Sequence, residues 1–320
     1  MAGMYEVDQP MKREELGNVI FIAESEKTPF SRLIKRGPRP KQTLSSWPVQ
    51  LYPRRKFSGT MDGTDISTFN STTRQEIEAY AMLMRTEGWL VSRLAKITDA
   101  AGVNRNEKAK QMADDGLILA QMIERNMLSN VDTQAQSGQN TPYRSRGAFS
   151  WLASAEQSTK PVPEDFRPST NSRYTDALAD LTPALFEGLL ESAATEKRAP
   201  VDLDGFCGLK LKRQMSTWAQ RDTEASATDQ ALVRYNLNAS EKKLMQVVDF
   251  FQFDAGMVRT LLSFYLRCTE ATGEDSDYTT RSGLFLDMSM WEVGFMDQPA
   301  AYMAKDEGGG PRGYHDAVYI

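Results

Sequence analysis

Asn106-Glu107-Lys108-Ala109-Lys110-Gln111-Met112-Ala113-Asp114-Asp115-Gly116-Leu117-Ile118-Leu119-Ala120-Gln121-Met122-Ile123-Glu124-Arg125-Asn126-Met127-Leu128-Ser129 is the clearest helical stretch of the chain. Ala109, Met112, Gly116, Leu119, Ile123 and Met127 recur at three- and four-residue spacing, which draws one apolar stripe along a helix. Asp114, Asp115, Glu124 and Arg125 fall off that stripe. At 1.5 Å per residue the stretch runs roughly 36 Å, long for a helix of a globular domain. It reads as a structural spine, and its methionines as core packing rather than a binding surface.

Upstream, residues 1–42 form an arm with little periodicity. Near its end sits Thr28-Pro29-Phe30-Ser31-Arg32-Leu33-Ile34, stopped by Gly37-Pro38-Arg39-Pro40, where two prolines and a glycine exclude a continuing helix. The arm is expected to drape over a neighbouring surface. From Thr43 to about Tyr52 the text alternates, with Leu44, Trp47, Val49 and Leu51 apolar, which predicts a strand broken locally by Pro48. Pro53-Arg54-Arg55-Lys56-Phe57-Ser58-Gly59-Thr60-Met61-Asp62-Gly63-Thr64-Asp65 then has the composition of an exposed tip. A returning strand is expected over Ile77 to Val91. A hairpin this long cannot bury both faces within its own chain, so it invites a partner surface; an ordinary surface hairpin is the alternative.

Downstream, Ser137 to Ser172 is polar and proline-containing, interrupted only by Ala148-Phe149-Ser150-Trp151-Leu152. Thr182-Pro183 supplies an N-cap and a first-turn proline for a helix to about Lys197, with Leu185, Leu189 and Ala193 facing the core. A strand over Leu203 to Cys207 and a helix over Leu209 to about Gln220 follow, the helix carrying Leu211, Met215 and Trp218. Strand-rich text over Leu244 to Phe253 turns at Asp254-Ala255-Gly256 and returns over Met257 to Arg267. Gly283 to Met288, Trp291 to Met296 and the tail Gly313 to Ile320 add strand-like runs. No internal repeat is visible, and the whole is α+β.

Composition narrows the chemistry. The chain has 320 residues, 38 Lys+Arg against 43 Asp+Glu and a formal charge of −5, with 40% hydrophobic residues. That is ordinary for a folded domain or two. Acidity argues against a tight nucleic-acid binder, which needs clustered cations to displace counterions. No apolar run is long enough to span a bilayer, and the N-terminus lacks the look of a secretory signal. Two cysteines, Cys207 and Cys268, are too few for a zinc cage and read as reduced thiols, with one bridge as the alternative.

The single histidine, His315, leaves little room for imidazole chemistry and reads as a solvated or hydrogen-bonded residue near a strand. Gly308-Gly309-Gly310-Pro311-Arg312-Gly313 matches a dinucleotide fingerprint by letter, but the strand-like tail behind it predicts a hairpin loop instead. Glu274-Asp275-Ser276-Asp277 fails the calcium-loop spacing at Thr280 and Leu286. No catalytic, metal or cofactor site is expected. Carboxylates gathered in space remain open as a hydrolase alternative.

The order of these elements resembles the major capsid proteins of tailed bacteriophages with the Hong Kong 97-type fold. The resemblance is closest where an arm ending in Thr28-Pro29-Phe30 with Leu33 precedes the hairpin. It implies an N-terminal arm at 1–42, an extended E-loop hairpin at 43–92 and a P-domain with the spine helix and a long loop at 93–177. An α/β A-domain would occupy 178–298, and 299–320 would return to the P-domain. The final strand would stop early, and the arm would lack the helical assembly segment of some members, leaving assembly to a separate scaffolding protein or none.

By that resemblance the chain would be a structural protein, not an enzyme. It would form hexamers and pentamers of an icosahedral shell around double-stranded DNA, with scaffolding, decoration and portal proteins as further partners. Packaged DNA would be touched only loosely, no membrane would be involved, and assembly would take place in the host cytoplasm. Arg54, Arg55, Lys56, Phe57, Phe30 and Leu33 are the expected assembly-interface residues. A bacterial nanocompartment shell of the same fold is the alternative within the class.

Overall fold

The computed structural model describes residues 28–51, 59–65, 74–92, 94–95, 107–152, 160–218, 249–267, 277–304 and 311–320. A short helix, Pro29–Leu33, leads into β1 (Lys35–Arg36), and β2 (Leu44–Val49) follows. After β2 come β3 (Gln75–Tyr80), β4 (Met82–Arg85) and β5 (Trp89–Leu90). The spine helix spans Glu107–Met127, and a short helix covers Ala148–Leu152. Helix Pro183–Lys197, β6 (Val201–Cys207) and helix Leu209–Thr217 come next, then β7 (Phe250–Phe253) and β8 (Gly256–Leu262). Helix Asp277–Arg281, β9 (Gly283–Leu286), β10 (Glu292–Val293), β11 (Phe295–Ala304) and β12 (Arg312–Tyr319) complete the order. The class is α+β, as the sequence predicts.

The described residues divide into two compact units, one within 85–119 and 299–316, the other within 28–84, 120–298 and 317–320. In the larger unit a four-stranded sheet has the order β7-β8-β6-β9. β6 and β8 are parallel over Val201↔Gly256 to Cys207↔Leu262, while β7 and β9 pair antiparallel on either side. Leu203, Cys207 and Val258 meet Phe186 and Leu190 of helix Pro183–Lys197 and Leu211 and Met215 of helix Leu209–Thr217 in one cluster. That apolar contact is what fixes the helices on the sheet. The turn before β8 needs its glycine, because a Cβ at Gly256 would stand 1.8 Å from the Val201 carbonyl oxygen.

Helix Pro183–Lys197 starts as read: the Thr182 hydroxyl accepts the Leu185 N–H at 3.3 Å, with proline in the first turn. Its buried face is one residue off the expected one. Phe186 and Leu190 are buried while Leu185 is exposed, since Phe186 makes edge contact with Phe285 and Phe251 of the sheet. The larger ring wins the core side.

Two further readings are corrected. β2 continues through Pro48, which pairs with Glu76 in a two-stranded antiparallel sheet; an edge strand tolerates the missing donor. The returning strand is three pieces rather than one. β3 pairs β2, β4 joins a sheet of order β11-β12-β4, and β5 pairs β12. The tail is a strand as expected. The Gly308–Gly310 part of the glycine loop between β11 and β12 lies outside the described residues, as do Cys268 and 244–248.

Candidate assembly elements

The root of the arm is built around one buried acid. Glu124, on the spine helix, is 0% exposed. Its carboxylate accepts the Phe30 N–H at 2.8 Å, the Ser31 N–H at 2.7 Å and the Ser31 hydroxyl at 2.7 Å. These are the orphan amides at the start of helix Pro29–Leu33, which no cap of its own satisfies. Burial pushes the Glu124 carboxyl above the usual range, and the donations from Ser31 and Phe30 offset that in part. Phe30 itself is 1% exposed and meets Phe206 edge-on at 5.2 Å and Trp291 at 6.4 Å. The sequence reading put Phe30 on an intersubunit surface. The structure instead spends it in the chain's own core, because β6 presents Phe206 to it. Leu33, in the same turn, is half-buried.

β1 extends the root by pairing parallel with β10, Lys35↔Glu292 and Arg36↔Val293. The same short segment therefore ties the arm to the helix and to the strands after β9. Of the other expected interface residues, Arg54, Arg55, Lys56 and Phe57 lie outside the described residues.

A second polar hub holds the loop after the spine. Arg146, its side chain 2% exposed, donates from Nε to Asp132 at 3.1 Å, bonds the Lys160 carbonyl and lies over the Trp151 ring at 4.6 Å. Burial lowers the guanidinium pKa, and Asp132 pulls the other way. Asp132 also accepts from the Thr133 N–H and the Ser150 hydroxyl. Gly147 is required beside it, since a Cβ would come within 2.3 Å of the Ser129 carbonyl oxygen. Lys160 then bonds Glu78 of β3, and Asp165 accepts from Gln75 at the far end of the same strand, so the loop is bonded along β3 of the hairpin. Trp47 of β2 packs on Trp151 at 5.8 Å.

In the smaller unit His315 Nδ1 shares a hydrogen bond with Asp115 at 2.7 Å, and Asp115 also accepts the Thr86 hydroxyl at 2.8 Å. The Thr86 oxygen accepts the His315 N–H at 3.0 Å. This is the hydrogen-bonded histidine in a strand that the sequence suggests, and it fastens the spine helix to β12. Sequence reasoning missed both buried acids, Asp115 and Glu124. Neither carries a signal in the helix's own spacing, since both fall off its apolar stripe.

Within the larger unit these elements bond the arm root to the spine helix and the loop after the spine to the β2–β3 hairpin. Among the described residues no cluster of metal-ligating side chains occurs and no helix is long and apolar enough to cross a membrane. A family model, SU10 major capsid protein, matches residues 3–313. The chain belongs to that family. It is a major capsid protein, a subunit that self-assembles into the virion capsid.

Solved structures agree in fold. The Mycobacterium phage Ogopogo chain superposes with a TM-score of 0.58 at 14% identity, over 99% of this chain and 95% of that one. The Cyanophage Pam1 capsid asymmetric unit gives 0.57 at 13%, over 99% and 92%. Gordonia phage Cozz gives 0.57 at 13%, over 97% and 87%. At such identities the likeness is one of fold: this SU10-family capsid protein has the Hong Kong 97-type architecture expected from its element order. No curated protein matches the chain.

Proposed function

We propose that this capsid protein forms hexamers and pentamers that close into an icosahedral shell around the double-stranded DNA of a tailed phage. The observation that carries the reading is the family match over 3–313, on a chain that pairs β2 and β3 in an antiparallel hairpin. One sequence then serves several slightly different neighbours, with heterologous contacts repeated about five- and six-fold axes. Wrapping hairpins give the large interfaces of an obligate assembly. The role is structural rather than catalytic.

Leu33 with Arg54, Arg55, Lys56 and Phe57 are proposed interface residues. The basic trio would meet acidic surface on an adjacent subunit. Scaffolding, decoration and portal proteins are the further partners this role calls for, and assembly belongs in the host cytoplasm before packaging. A net charge of −5 suits a container that touches its genome loosely, since tight phosphate contacts would hold DNA that must enter and leave. The test is the size of the purified full chain under crowding and salt, by sedimentation velocity and negative-stain imaging. Closed shells of uniform diameter are expected. A chain that stays monomeric throughout overturns the reading.

A further inference from the structure

We propose that the Met61–Asp65 turn at the tip of the hairpin docks, in a second copy of this chain, into the groove between Arg36, Arg39 and the start of β11. This deepens the capsid reading and rests on it. Met61 is 85% exposed, the most exposed large hydrophobic side chain among the described residues. It opens a turn in which Gly63 takes φ +78° and the Thr64 N–H and hydroxyl both bond the Met61 carbonyl. Glycine is what that backbone asks for, so the turn holds its shape without a partner. Asp62 and Asp65, both exposed, follow the methionine in the same turn. Neither has an ion-pair partner among the described residues. A formed turn that presents one exposed, flexible apolar side chain together with two carboxylates is a plug without a socket.

The groove has the matching chemistry. It is a cavity of about 200 Å³ lined by Arg36, Arg39, Val293, Phe295, Met296 and Asp297, among others. That is below the roughly 300–1,000 Å³ clefts that take drug-sized ligands, and suits one inserted side chain with its flanks. Val293, Phe295 and Met296 supply apolar walls. Arg36 lies over the Phe295 ring at 5.7 Å, and Arg39 donates only from Nε, to the Met296 carbonyl at 2.8 Å. No carboxylate pairs with either guanidinium among the described residues. Asp297 on the rim already has a partner. Pro38 and Pro40 fix the backbone between and after the arginines, which keeps the two cations at a set spacing. Apolar walls that share a groove with two cations complement a methionine followed by two aspartates, and in a chain of net charge −5 such a basic lining favours acidic protein.

Charge exchange tests the pairing. Arg36→Glu with Arg39→Glu, and separately Asp62→Lys with Asp65→Lys, should each lower the yield of shells at least tenfold with the monomer's unfolding midpoint unchanged. The combined four-site variant should recover most of that yield. Met61→Cys with Met296→Cys, oxidised in assembled material, should give a ladder of chain multimers on a denaturing gel that neither single variant gives. This second readout decides the matter should a reversal variant fail to fold.

Shells at wild-type yield from both reversals, or no ladder from the double cysteine variant, would overturn the docking. So would retention of a labelled DNA duplex by the wild type that Arg36→Glu/Arg39→Glu abolishes while assembly proceeds; the rim would then serve phosphate. If the wild type forms no shells at all, the capsid reading has failed first, and that result stands apart from these.

Discussion

The Glu124 carboxylate accepts the Phe30 backbone N–H at 2.8 Å across 94 residues of sequence, so the arm's first helical turn is capped by a different helix. Burial raises the folded pKa of this acid, with its hydrogen bonds opposing. For an acid whose folded pKa lies above its unfolded value, the contribution to stability is full below the unfolded pKa and is lost as pH rises through the folded one. Glu124→Gln removes that titration. The stability of the wild type relative to Glu124→Gln should therefore decline as pH climbs above the usual carboxylate range, then level off. Denaturant unfolding of both proteins from pH 4 to 8 checks it; a constant difference would show that Glu124 does not titrate as argued.

Phe30 is core, and its removal should read out as folding rather than assembly. Phe30→Ala deletes a ring held between Phe206 and Trp291 and should cost about 3–5 kcal/mol, in the range for large-to-small changes at buried aromatics. Leu33→Ala, at a half-buried site, should cost clearly less. Urea midpoints of purified chains under non-assembling conditions give the comparison. Equal midpoints for the two variants would contradict the burial seen here.

Arg146 and Asp132 differ in what each leaves behind. Asp132→Ala strands a guanidinium whose side chain is 2% exposed, and should cost about 3 kcal/mol. Arg146→Met leaves a carboxylate that is 23% exposed and still accepts from Thr133 and Ser150, so about 1–2 kcal/mol is expected. The double variant should lose less than the two single losses added together. A double-mutant cycle on unfolding free energies measures this directly.

These three sites also mark what the sequence could show. The spine helix, the Thr182 cap and β6 were legible because their signals are local: a 3.6-residue stripe, a hydroxyl before a proline, and Val201 and Leu203 alternating with Asp202 and Asp204. Leu185 was placed in the core on spacing alone, and Phe186 took the place because of rings on strands that spacing cannot see. Glu124 reads as solvent-facing in its own helix; its partners are backbone amides far away, and no side-chain pattern encodes them. The break between β3 and β4 was hidden for the same reason, since β4 finds its partner in the tail. Family membership was legible through the order of elements.

Arg54 and Arg55 precede the acidic turn in the hairpin tip and are proposed to meet acidic surface on a neighbour. Reversal of both, Arg54→Glu with Arg55→Glu, should impair assembly much more than folding. Exposed charges contribute within about 1 kcal/mol to a monomer, but the same change repeats at every subunit contact of a shell. Shell yield by sedimentation against the unfolding midpoint of the free chain separates the two effects. Intact shells at normal yield would remove these residues from the interface.

Cys207 sits at 0% exposure in the apolar cluster behind β6, and burial pushes its thiol up to about 12. Only the thiolate alkylates. At pH 8 the thiolate fraction is then roughly a thousandfold below that of an ordinary exposed cysteine, before steric exclusion is counted. Iodoacetamide should therefore leave Cys207 unmodified in the native chain and label it fully in denaturant. Peptide mass spectrometry resolves it from Cys268 without mutating either. Labelling of Cys207 at the unfolded rate under native conditions would mean that the sheet opens readily at β6, against the burial of this residue in the apolar cluster.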